Sequence, residues 1–194
     1  MKINYVMTLA LALCFWAGAA RAFEGESIRF SNPTDPRYAV DITFKGKIFK
    51  PTLDVLDRKA IEKNSEYQRF KDFFSQVYER NRQGDAASVL SVWHPKDRDT
   101  IKSAMDAAAL KQNKAQFEAM VSLKLNMVIQ YGSYYICLVE TTVQGQAPLV
   151  MKYPITQYKG ELVLTNGLNG DYFYELISHY MDQTNFGALL GQQR

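Results

Sequence analysis

Cysteine is almost missing from this chain, with only Cys14 and Cys137 among 194 residues, and histidine is as scarce, with only His94 and His179. Each shortage excludes a class of chemistry. Two histidines far apart, with no His-x-x-x-His and no paired cysteines, argue against a zinc site. There is no Gly-x-Ser-x-Gly, P-loop or dinucleotide-type glycine pattern, so neither a hydrolase elbow nor a phosphate cradle is written in the chain. No cofactor is implied, and no internal repeat, low-complexity tract or long linker divides the sequence.

What is present begins with a leader. Lys2 precedes an apolar run from Val6 to Ala20 that ends in Ala20-Arg21-Ala22, the pattern of a cleaved secretory signal. The run is shorter than the roughly 20 apolar residues of a membrane anchor. A lipid-modified Cys14 is an alternative, but bulky Leu13 just before it argues against one. With Lys2 as its only charge before Arg21, the leader is similar to a Gram-negative signal, so the expected address is periplasmic or secreted, with no stable membrane insertion after cleavage.

Cleavage after Ala22 leaves 172 residues and changes the charge reading, because Lys2 and Arg21 are lost. The basic count falls from 23 to 21 against 20 acids, a net charge of +1. Nucleic acid and anionic membranes need a basic stripe, which a near-neutral chain does not offer. Arg80 and Arg82 stand beside Glu79 and Asp85, and Lys45, Lys47 and Lys50 flank an expected turn, so neither group reads as a binding patch. The mature chain retains only Cys137. It forms no internal disulfide, so the fold rests on its apolar core, and apolar neighbours mark the thiol as buried and inert.

The mature length suits one domain, read as an extended segment over 23–60, an α+β domain over 61–168 and a helical tail over 169–194. Val40, Ile42 and Phe44 alternate with Asp41, Thr43 and Lys45, and Gly46 allows a turn, which predicts a hairpin over about 38–50. Ser65 and Gln68 have capping-box spacing ahead of Tyr67, Phe70, Phe74, Val77 and Tyr78 at helical spacing, and Gly84 ends that helix. Asp85 caps a second helix that stops before Pro95, and a third is expected from about Asp97 to Lys114, with Ile101, Met105, Ala108 and Ala109 inside. From Leu123 the period becomes two. Turns at Gly132-Ser133, Gln144-Gly145-Gln146 and Lys159-Gly160 then separate strands over 123–130, 134–143, 149–158 and 162–164. Pro154 suits an edge or a bulge. Helices first and strands after indicate an α+β fold with an antiparallel meander.

This order, with the Gly84-Asp85 break and a last hairpin reading Tyr153-x4-Tyr158-Lys159-Gly160-Glu161-Leu162-Val163-Leu164, resembles the nuclear transport factor 2-like superfamily over about residues 65 to 168. That superfamily includes ketosteroid isomerase and the SnoaL-like proteins. The resemblance implies a cone-like fold, in which a curved antiparallel sheet wraps the N-terminal helices around a pocket. It implies no particular function, because such scaffolds host isomerases, dehydratases, ligand binders and assembly modules. No family catalytic residue matches a position here.

The second strand of the meander is apolar on both faces, with Tyr134, Ile136, Leu138 and Glu140 on one and Tyr135, Cys137, Val139 and Thr141 on the other. Both faces therefore need a cover: the helices on one side, and residues 38–50 or a second copy in a homodimer on the other. Glu140 and His94 are the candidates for proton transfer, Glu140 as a carboxylate at the edge of an apolar pocket. The bland readings are, for Glu140, that strand alternation has reached solvent at the sheet's end or that it pairs with a nearby lysine, and for His94 a capping or packing role. Trp93, Tyr134, Glu140 and Tyr153 are the candidate ligand contacts, because tyrosine joins an apolar face to a polar tip. The tail carries Tyr172, Phe173, Tyr174, Leu176, Ile177 and Tyr180, spaced for a short amphipathic helix that caps its own domain, the commoner use, or docks on a partner. The resulting expectation is an exported, noncatalytic binding protein for a small apolar molecule or an envelope protein. The alternatives are an isomerase- or hydratase-like enzyme and an assembly component of an envelope complex.

Overall fold

Six strands pair antiparallel in the order in which they occur along the chain, forming one open sheet. The strands are β1 (Glu26–Phe30), β2 (Ile42–Asp54), β3 (Met120–Tyr131), β4 (Tyr134–Val143), β5 (Leu149–Tyr158) and β6 (Glu161–Leu164). Four helices lie between β2 and β3: α1 (Glu66–Gln83), α2 (Ala86–Ser91), α3 (Arg98–Ser103) and α4 (Ala107–Glu118), with a 3-10 turn at Pro95–Asp97. The computed structural model describes residues 25–30, 42–59, 61, 65–175 and 177. The leader with Lys2, Cys14 and Arg21, the strand start at Val40 and Asp41, and His179 and Tyr180 lie outside the described residues.

Helix α1 starts where a side chain replaces the missing ladder acceptor. The Ser65 hydroxyl accepts the Gln68 N–H at 3.1 Å, satisfying one of the open amides of the first turn. The reciprocal half of the capping box is absent, because the Gln68 side-chain oxygen instead accepts the Ile61 N–H at 2.9 Å. The helix ends at Gly84, which has a φ of 74°. Between these caps Phe70, Phe73, Phe74 and Val77 form the apolar stripe and are buried against the sheet, each contributing roughly 1.5–3 kcal/mol. Asp85 caps α2 by accepting the Ser88 N–H at 2.8 Å, and the Ser88 contact holds its carboxyl below the usual range.

The expected third helix is divided. Asp106 accepts the Ala109 N–H at 2.7 Å and starts α4 afresh, so a carboxylate that caps one helix interrupts the ladder of the one before it. Neither α3 nor α4 buries a residue fully, and Ala108 is exposed rather than an inner position. Helix α4 is tied to α1 instead by Asn113, whose amide donates to the Asn81 side-chain oxygen at 2.8 Å.

The sheet also corrects the N-terminal expectation. Gly46 does not turn the chain: β2 runs through it, and of the residues expected to cover the sheet, 42–50 are part of a strand within it, paired with β1 and β3. A Cβ on Gly46 would lie 2.5 Å from Ile28 Cδ1 and 2.6 Å from the Val128 carbonyl oxygen. Glycine is needed here for close approach rather than for a turn. Pro154 is accommodated inside β5 because β6 has already ended, and its carbonyl accepts the Thr165 N–H at 3.1 Å. Lys159 and Gly160 turn β5 into β6 with φ of 52° and 87°, as a tight hairpin of the primed type requires.

Both faces of β4 are covered, as its composition demands. On the helix side Cys137 and Val139 join Phe70, Phe74, Leu125, Val128 and Ile155. On the outer side Ile136 and Leu138 join Met127 and Ile129 beneath Leu168, Tyr174 and Ile177 of the C-terminal segment. That segment is the cover, in place of residues 38–50. Asp97 anchors its start, accepting from the Thr165 hydroxyl at 2.7 Å and from the Asn166 N–H at 3.1 Å.

Candidate functional site

Strand β3 loses register with both neighbours at one residue. Leu125 faces Val139 and Met127 faces Leu138, which leaves Asn126 extra against β4. On the other side Ile48 pairs with Met127 and Leu53 with Leu125, so Phe49, Lys50, Pro51 and Thr52 of β2 stand against Asn126 alone. Pro51 has no N–H to give to a ladder, which fits it to a bulge. Asn126 is 1 % exposed, and its amide oxygen has no hydrogen-bond partner among the described residues.

The bulge forms one wall of a cleft of about 760 Å³, closed by residues 57, 59 and 61 and by Lys71 of α1. Its apolar lining residues are Ile48, Phe49, Pro51, Leu53 and Ile61. Its carboxylates are engaged locally. Glu26 pairs with Lys47 at 2.6 Å, Asp54 accepts the Leu56 N–H at 2.9 Å and Asp57 the Lys59 N–H at 3.0 Å. Lys71 is the unusual member. It is 6 % exposed, and its ammonium donates to the Lys59 carbonyl at 2.5 Å without a carboxylate in ion-pair reach among the described residues.

The residues singled out in the sequence do not form one site. Trp93 and Tyr153 pack on the helix-side core. Tyr134 packs on the outer one, and Glu140 follows it by strand alternation, so the sheet separates the two pairs. Tyr153 lies edge-on to Phe74 with centroids 5.6 Å apart, and burial pushes its phenol up to about 12. Glu140 lies opposite Lys124 and pairs with it at 3.7 Å. His94 caps the 3-10 turn, its Nδ1 accepting the Lys96 N–H at 3.2 Å, and its ring meets Tyr158 edge-on at 5.0 Å. Trp93 bridges to Leu164 beside β6, and its carbonyl accepts from the Arg98 guanidinium at 3.0 Å.

Lys71 had a visible signal. It falls four residues after Tyr67 and three before Phe74, a charged side chain on the apolar stripe of α1. The four-residue bulge of β2 had none beyond Pro51. Among the described residues no three His, Cys, Asp or Glu side chains are grouped to hold a metal ion, and no helix is long and apolar enough to cross a membrane. No family model, curated protein or solved structure matches the chain.

Proposed function

We propose that this chain is an exported, noncatalytic binding protein that holds a small molecule with an apolar part in the cleft beside the β2 bulge. The observation that carries the reading is the cleft itself. Its volume of about 760 Å³ falls in the roughly 300–1,000 Å³ range of small-molecule sites, and among the described residues its lining sets Ile48, Phe49, Pro51, Leu53 and Ile61 beside charged side chains that outnumber them. Export is supported by the leader, whose Lys2, apolar run and Ala20-Arg21-Ala22 ending have the pattern of a cleaved secretory signal. The run of helices followed by an antiparallel meander supports the resemblance to the nuclear transport factor 2-like superfamily, and with it a cone-like wrapping of the sheet about α1.

The geometry lends the proton-transfer alternative no support, since Glu140 is paired with Lys124 across strands and His94 uses Nδ1 to cap the 3-10 turn while its ring packs on Tyr158. Native mass spectrometry of protein purified gently from the periplasm tests the proposal. A mature chain beginning at Phe23 with a co-purifying small molecule is the expected result. An uncleaved leader would sink the export reading. A ligand-free chain that also fails to bind any probe saturably would sink the binding reading.

A further inference from the structure

Lys71 presents an energetic problem that the cleft can solve. An ammonium taken out of water is costly unless acceptors replace the lost hydration. It carries three donors, and among the described residues one acceptor meets it, the Lys59 carbonyl. None of the cleft's described carboxylates forms an ion pair with it: Glu26 pairs with Lys47, and Asp54 and Asp57 accept the Leu56 and Lys59 N–H. Yet Lys71 lines the cleft, together with Lys47, Lys50 and Lys59.

We infer that the occupant of this cleft is an organic anion, its charged group held by the Lys71 ammonium and its apolar body lying along Pro51, Leu53 and Ile61. A carboxylate, sulfonate or phosphate oxygen supplies the acceptors that Lys71 lacks. The inference rests on the binding reading above and adds the sign of the ligand.

A matched pair of fluorescent probes tests it on the mature chain: 8-anilinonaphthalene-1-sulfonate and N-phenyl-1-naphthylamine, which share a ring system and differ by the sulfonate. The anionic probe is expected to bind saturably at one site, about tenfold or more tighter than the neutral one, as a charge-assisted contact provides. Lys71→Gln removes that preference and Lys71→Arg restores part of it, with folding checked by circular dichroism. Lys59→Glu changes an exposed residue at the same cleft and weakens only the anionic probe, which keeps the test open if Lys71 variants fail to fold. Equal binding of both probes, indifferent to Lys71 and Lys59, would overturn the anion inference while leaving the small-molecule reading in place. Saturable binding of neither probe would overturn both.

Discussion

The Lys152 ammonium lies 3.5 Å from the centroid of the Tyr174 ring and donates to the Tyr174 carbonyl at 2.6 Å, while the Tyr174 hydroxyl donates back to the Lys152 carbonyl at 3.4 Å. One lysine of β5 thus grips the C-terminal segment through its charge over the Tyr174 ring and through hydrogen bonds at both residues' backbone carbonyls. The grip closes the outer face of the sheet over Ile136 and Leu138. Burial pushes the Tyr174 phenol well up, so it remains a neutral donor.

Lys152→Met keeps the apolar stem and removes the charge. It is expected to cost about 1–3 kcal/mol in denaturant unfolding and to speed protease cleavage around residues 172–177. If neither changes, burial of Tyr174 and Ile177 alone holds the segment.

Gly46→Ala places a methyl group 2.5 Å from Ile28 Cδ1 and 2.6 Å from a backbone oxygen that no rotamer change can move. The sheet must part there, and a loss of about 1–3 kcal/mol is expected. A higher urea midpoint, from the lower entropy of the unfolded chain, would show that the β1–β2–β3 packing is looser than described.

The Cys137 thiol is fully buried, and burial raises its pKa well above the ordinary value, which suppresses the reactive thiolate. In protein lacking residues 1–22, a thiol reagent such as dithionitrobenzoate should react only at the rate of unfolding and titrate one thiol in denaturant. Fast labelling of the folded chain would refute burial.

Tyr153 gives an alkaline dependence with a definite sign. Its phenol ionises near 10 when unfolded and at about 12 when folded, so between those values the unfolded state has released a proton that the folded state retains. Its contribution to stability is therefore constant below about pH 10 and falls by about 1.4 kcal/mol per pH unit between about pH 10 and pH 12. Tyr153→Phe should lower that slope without abolishing it, because the Tyr174 phenol, also pushed up by burial, contributes over the same range. An unchanged slope would assign alkaline unfolding to other groups.

Glu140→Gln breaks a 3.7 Å pair with a half-exposed Lys124, and a loss of about 0–1 kcal/mol is expected by thermal or chemical unfolding. Probe binding in the cleft should be unchanged. A large loss of binding would move the site to the outer face of β4.

Local signals were legible because their partners lie close in sequence. Ser65, Gly84 and Asp85 bounded α1 and α2, since caps act within four residues. Gly132 and Lys159-Gly160 placed the hairpins, since two-residue turns set their own register. The division at Asp106 was missed although the cap is local, because the apolar spacing of Ile101, Met105 and Ala109 continues across it. At the candidate site the charged residue on the α1 stripe was readable, but its burial was not.

The sequence by itself determined that β4 is apolar on both faces and must be covered twice, because alternation along one strand is a property of that strand alone. Only the tertiary structure decided that the C-terminal segment supplies the outer cover, that Gly46 lies within a strand, and that four residues of β2 stand against Asn126 beside a buried Lys71. Each of these depends on pairing between residues distant in the chain. Strand alternation tells which side of a strand a residue occupies but not which distant segment meets it there.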